Sequence, residues 1–141
     1  MAYDEYDSER TTAMLARYTM ERGKPASELP QGSRQDTRKH TRHCLRPAAE
    51  LVARFLDAPG DGAWSQFEAE YAAALEQRFT DDPSPFDRLA ELASREDVYL
   101  GCSCPTKKNP DVWHCHTVLA LGFMRRKYPE LEVVMPEPVR R

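Results

Sequence analysis

No apolar run in this 141-residue chain approaches the roughly 18 residues that a membrane-spanning helix needs. No basic stretch followed by an apolar one opens it as a secretory signal would. These absences lead us to expect a soluble, cytoplasmic protein with no membrane partner. Glycine is scarce, six in all and scattered singly, so no glycine-rich loop is available to cradle a phosphate. Positive charge is not in excess either: 20 Lys and Arg stand against 23 Asp and Glu, a net charge of −3. That balance disfavours wholesale nucleic-acid binding while leaving local basic patches open. The four cysteines, in a chain without a secretory signal, read as reduced thiols or metal ligands rather than two disulfides. Cys102 and Cys104 are too close in sequence to bridge each other without strain. There is no internal repeat and no low-complexity tract.

What is present is concentrated near the end. Val98 to Cys102 is a short apolar, β-rich run behind the charged turn Ser94 to Asp97. Ser103 to Asp111, with two prolines, reads as a loop. His114 to Lys127 has helical spacing of Val118, Leu119, Leu121 and Met124, and ends in Arg125, Arg126 and Lys127 before Pro129. Leu131 to Met135 reads as a further strand. The expectation is an α/β fold: a small helix-rich domain with a parallel βαβ unit at the C-terminal end (strand 98–102, helix 114–127, strand 131–135), open to a Rossmann-like three-layer arrangement. Sites in such sheets lie beyond the carboxyl ends of the strands, where loops enter helix N-termini. Cys102, Cys104, His114, Cys115 and His116 all fall on that edge.

The whole chain, 1–141, reads as one α/β domain, with residues 1–7 a disordered terminus and 23–36 loop-rich. Ser8 is expected to cap a helix running to about Arg22, with Met14, Leu15 and Tyr18 inward. Arg34, Arg38, Lys39, Arg42 and Arg46, with His40 and His43 among them, form a basic segment. It reads either as an anion-binding patch or, more simply, as a solvated face. A helix over Asp36 to Cys44 would put His40 and Cys44 one turn apart. Further helices are expected from Pro47 to Asp57, from Gly62 to Phe79 with an aromatic stripe of Trp64, Phe67 and Tyr71, and from Ser84 to Ser94. Two strands alone make an unusual sheet, so a further strand before Pro47 or a second copy of the chain, as a homo-oligomer, is expected to complete it.

From Trp64 to Pro136 the chain resembles the family called domain of unknown function 488 and its relative numbered 4326. The residues that carry the likeness are Trp64 to Tyr71 with Leu75, Leu89 to Leu100, Cys102-x-Cys104, and Cys115-His116-x-x-Leu119. The resemblance implies a small α/β sandwich with the Cys-His pair at its site. It implies no particular reaction. Two departures stand out: Thr117 occupies the place where the first group commonly has arginine after Cys-His, and the family's early strand has no obvious counterpart.

Three readings of the Cys-His edge follow. In the first, Cys115 is a reactive thiol at a helix N-terminus, with His116 or His114 as base, in a small-ligand or nucleotide-linked enzyme. The six-residue step from a phosphatase cysteine to its arginine is missing, since Leu121 stands there. In the second, zinc is held by Cys102, Cys104, Cys115 and His116, with Cys44 as an alternative fourth ligand. In the third, the edge is a binding module in which Lys107, Lys108 and Thr117 hold a small anionic ligand at the helix N-terminus, with nucleic acid or protein as other partners.

Overall fold

The computed structural model describes residues 13–137. The expected terminus at 1–7 lies outside them. Three parallel strands, β1 (Leu15–Thr19), β2 (Ser33–Asp36) and β3 (Val98–Cys102), form a sheet in the order β1-β3-β2. Four helices follow in chain order: α1 (Ala49–Asp57), α2 (Asp61–Asp81), α3 (Ser84–Arg95) and α4 (His116–Lys127). The fold is therefore α/β and helix-rich, with a parallel sheet. None of these helices is long and apolar enough to cross a membrane.

β3 is central because it is the most apolar strand, with Val98 and Leu100 fully buried. It pairs along its length with both neighbours, Leu15 opposite Val98 on one side and Ser33 opposite Val98 on the other. α4 lies against β1 and β3 on one side and α2 on another. That position explains why seven of its twelve residues are buried, His116 and Thr117 among them. α2 buries Phe67, Tyr71 and Leu75 at steps of four, and α3 buries Phe86, Leu89, Ala90 and Ala93. Pro59 and Pro83 stand in the breaks after α1 and α2, where neither has to interrupt a helix interior. The Tyr71 hydroxyl donates to the Leu45 carbonyl, and Arg78 Nη1 donates to the Cys44 and Arg46 carbonyls at 2.8 Å each. These bonds tie α2 to the irregular segment between β2 and α1.

Several sequence expectations are corrected. Leu15–Thr19 is a strand, not part of a helix: its thin apolar stripe is enough to bury Leu15 and Ala16, while the backbone pairs with β3. β2 lies inside the stretch read as loop. It is an edge strand whose polar sequence, Ser-Arg-Gln-Asp, carries no alternating pattern because it contributes mainly backbone bonds. These two strands supply the missing sheet before Pro47. Asp36 to Cys44 is turn rather than helix. The expected strand 131–135 shortens to a single parallel bridge between Val133 and Leu15, so it extends the β1 edge instead of lying beside β3. The last helix begins at His116, after a 3₁₀ turn over Val112–His114.

Gly32 sets the start of β2. Its φ of +140° lies in the range that side-chain-bearing residues avoid, and an added Cβ would stand 2.5 Å from the Asp97 carbonyl oxygen. That oxygen already accepts from Ser33 N at 2.9 Å. Gly32→Ala is expected to destabilise the protein by about 1–3 kcal/mol through backbone strain alone, read as a fall in the urea midpoint at unchanged slope.

Candidate functional site

Parallel pairing brings the carboxyl ends of all three strands to one edge, and the N-terminus of α4 meets them there. Cys102 is the last residue of β3, Thr37 follows β2 directly, and Cys115 is the extended residue that caps α4. The intervening loop is pinned from within. Thr106 and Asn109 exchange backbone hydrogen bonds at 3.0 and 3.1 Å. The buried Asn109 side chain donates to the His114 carbonyl at 2.6 Å and to Cys104 Sγ at 3.5 Å. Asp111 accepts from Trp113 N at 3.0 Å and so caps the 3₁₀ turn that delivers Cys115.

His116 is buried, and its tautomer follows from its neighbours. Thr37 Oγ1 lies 3.0 Å from the Gly101 carbonyl oxygen and 2.8 Å from His116 Nε2. Two oxygens that close need a proton between them, and the hydroxyl has only one. Thr37 therefore donates to Gly101 and accepts from Nε2–H, an assignment made from the network. Nδ1 is the nitrogen that faces the sulfurs, within hydrogen-bond reach of Cys102 Sγ at 3.8 Å and of Cys115 Sγ at 4.0 Å.

The same reasoning fixes the proton of Thr117. Arg17 Nε can only donate, and it meets Thr117 Oγ1 at 2.8 Å. The Thr117 hydroxyl proton is thus free for Cys115 Sγ at 3.1 Å. Arg17 Nη2 also donates to the Cys104 carbonyl at 2.7 Å, as does Thr19 Oγ1 at 2.9 Å. Hydrogen bonds from Cys102 and Cys104, with further help from His116, hold the Cys115 thiol well below its usual pKa despite burial. The converse holds for Cys102, which is raised by its hydrogen bonds to Cys104 and Cys115 and by burial. Cys104 is raised as well: the hydrogen bond with Cys102 lowers it, but the bond to Cys115 and burial together outweigh that. Of the three sulfurs, Cys115 is the one whose anion its neighbours favour.

Sγ of Cys102, Sγ of Cys115 and a ring nitrogen of His116 lie within 4.8 Å of one another, a set able to hold a metal ion. Cys104 is close to both sulfurs but outside that set. Cys44 is apart from it, lining a separate cavity with Gln35, His43, Pro85 and Arg88, where burial pushes its thiol up to about 11. A cavity of about 320 Å³ opens beside the cluster. Cys102, Cys104, Cys115 and His116 form one part of its wall, and Phe55 and Trp64 form another.

His114 lines the same cavity, stacked on Trp64 with ring centres 5.1 Å apart. Lys107 and Lys108 are exposed in the loop and do not line it. Thr117 is fully buried, with its hydroxyl engaged by Arg17 and Cys115. The basic segment divides: Arg38, Lys39 and His40 reach the cavity, Arg34 bonds the Pro30 carbonyl, and Arg46 bonds the His43 carbonyl. Sequence reading missed Arg17, Thr37 and Asn109. Asn109 had a signal in its Asn-Pro loop; the other two come from or follow strands whose sequences are not strand-like.

A family model described as the active DUF488-N3 subclade matches residues 3–127. The chain belongs to this DUF488 subclade. The match covers β1 and β2 as well as the Cys-His segment, so the likeness reaches well beyond the Trp64 start read from motifs. β1 is present where the early strand had no obvious counterpart in the sequence. No curated protein and no solved structure matched the chain. In this DUF488 member, Thr117 follows the Cys-His pair and accepts a hydrogen bond from Arg17 of β1.

Proposed function

We propose that the protein is a thiol enzyme in which Cys115 attacks a small ligand held in the adjoining cavity. One observation carries this reading: the Cys115 sulfur, on the cavity wall, accepts the Thr117 hydroxyl at 3.1 Å and faces Nδ1 of His116 at 4.0 Å. A nucleophilic thiol needs a proton acceptor and donors that stabilise its anion, and both are present. In the step we assign, Cys115 reacts as the thiolate, its proton held on His116 Nδ1. Sγ then bonds to an electrophilic centre of the ligand as the bond to the leaving group breaks, its electron pair departing with that group. His116 returns the proton to the leaving group. An acceptor, water included, then takes the group from sulfur and gives its own proton to the thiolate–imidazole pair. We assign His114 to the cavity wall and to contact with the ligand, and Lys107 and Lys108 to long-range attraction of an anion.

A second reading is zinc on Cys102, Cys115 and His116, with Cys104 beside them, favoured by the 4.8 Å grouping of the donor atoms. Thiolates and imidazole suit zinc, and the Nε2–H bond to Thr37 is the kind of partner that orients a ligating histidine. Bound there, zinc would supply a Lewis acid beside the cavity.

Ultraviolet thiolate absorbance at neutral pH, with elemental analysis of the same sample, separates the two. The thiol reading expects about one thiolate in metal-free protein, lost in Cys115→Ser; no difference from the variant would overturn it. Near-stoichiometric zinc, with a lower Tm on chelation, would establish the second reading instead.

A further inference from the structure

The cavity beside Cys115 is two-sided in its chemistry. One wall is apolar and rich in rings: Phe55 meets Trp64 edge-on at 5.4 Å between centroids, and Trp64 stacks on His114 at 5.1 Å. The lining also carries the cationic segment Arg38, Lys39 and His40, just after β2, with Lys39 and His40 exposed at its rim. Among the described residues, no carboxylate lines the cavity. Asp36 stands beside the rim; it is held in two-point contact by Arg38 at 3.0 and 2.9 Å and lies 3.9 Å from His40 Nε2. Asp61, fully exposed, lies 4.0 Å from His114 Nε2 at the aromatic end. Arg38 thus spends much of its charge on Asp36, whereas Lys39 makes no ion pair among the described residues. The volume of about 320 Å³ is near the lower end of the roughly 300–1,000 Å³ typical of ligand pockets. That leaves room for one ring system with a short charged arm.

We propose that this cavity takes a planar aromatic ring joined to an anionic group, with the ring against Phe55 and Trp64 and the anion on the rim at Lys39. The proposal rests on the thiol reading only in naming what Cys115 would attack; the binding itself does not require the thiol. Aromatic walls favour flat rings, through edge and offset stacking beyond simple burial. A rim of cations with no carboxylate among the lining residues favours an anion and penalises a second cation. Aryl phosphates and nucleoside monophosphates share this chemistry.

The chain has two tryptophans: Trp64 lines this cavity and also the neighbouring groove, and Trp113 lines that groove with Leu119 and Arg126. In Trp113→Phe protein the emission is that of Trp64, and Lys39→Glu, which alters the cavity lining and not the groove, tells the two binding places apart. The probes are phenyl phosphate, adenosine 5′-monophosphate, adenosine and inorganic phosphate, titrated into Trp113→Phe and into Trp113→Phe carrying Cys115→Ser. The expected result is that at least one ring-bearing phosphate binds tenfold or more tighter than both adenosine and inorganic phosphate, in both proteins. Lys39→Glu should weaken that ligand at least tenfold and leave adenosine unchanged. Tight phenyl phosphate alone points to simple aryl phosphates, and tight monophosphate to nucleotides; either supports the proposal. Adenosine binding as tightly as its monophosphate, inorganic phosphate as tightly as both, no binding of any probe, or indifference to Lys39→Glu would overturn it. Loss of the thiolate signal in ligand-free protein would instead sink the thiol reading and leave these affinities as they are.

Discussion

At pH 7 a small alkylating reagent is expected to modify Cys115 at least tenfold faster than Cys44. The two thiols lie in one chain but in opposite settings. Burial pushes Cys44 up to about 11, so only about one Cys44 in ten thousand is thiolate at pH 7. Cys115 is held well below its usual pKa by hydrogen bonds from Cys102 and Cys104 and by His116. A low-pKa thiolate is intrinsically the poorer nucleophile, with a Brønsted slope of about 0.4–0.5, and this offsets part but not all of the difference in population. Raising the pH should bring Cys44 up strongly and Cys115 hardly at all. Thr117→Val removes the hydroxyl that donates to Cys115 and the acceptor that Arg17 uses. Labelling of Cys115 at neutral pH should slow in that variant, and its apparent pKa should rise. Peptide mass mapping against time gives each rate separately; equal rates for Cys115 and Cys44 across pH 6 to 9, roughly the span around a free thiol's pKa, would refute the arrangement.

Between about pH 6.5 and pH 4, the protein is expected to lose up to about 3 kcal/mol of stability through His43 alone. Its pKa is lowered to about 4, first by burial and then by the nearby His116 and Arg46, against a smaller opposing pull from Asp36. The bonding agrees: Nε2 donates to Gln35 Oε1 at 2.7 Å, and Nδ1 accepts from Leu45 N at 3.1 Å. Protonating Nδ1 would break that second bond. The unfolded chain takes up the proton near pH 6.5 and the folded chain only near 4, so stability is complete above 6.5 and falls as the pH drops through that window. His43→Asn keeps an acceptor for the Leu45 N–H but cannot titrate. Urea midpoints for this variant should change much less over the window than those of the parent protein. Parallel pH profiles for the two would mean that carboxylates, not His43, govern the acid limb.

The helices were legible because their burial is local in pattern. Phe67, Tyr71 and Leu75 in α2, and Phe86, Leu89 and Ala93 in α3, repeat at steps of three and four and are buried. β3 was legible for a similar reason, being apolar throughout and fully flanked. β1 and β2 were not, since a strand beside a central partner is held by backbone bonds to residues some 65 to 85 positions away, which its own side chains do not announce. Topology put Cys102, Cys115 and His116 on one edge, and the structure groups them there. Its supporting shell was hidden with the strands: Arg17 lies on β1, and Thr37 follows β2. The basic segment looked uniform as sequence, yet one carboxylate, Asp36, takes up Arg38, while burial makes His43 a structural residue.

The central place of β3 also bears on how the chain comes together. β1 and β2 do not pair with each other; both pair with a strand that follows them by more than sixty residues. During synthesis neither has its partner until Val98 to Cys102 has been made, so the first two strands wait as unpaired segments while α1, α2 and α3 form from local contacts. Such late, long-range closure carries a large loop entropy and slows folding relative to an all-local helical bundle. The strand that completes the sheet is the one that ends in Cys102, so the thiol cluster has no first member in place until the sheet closes.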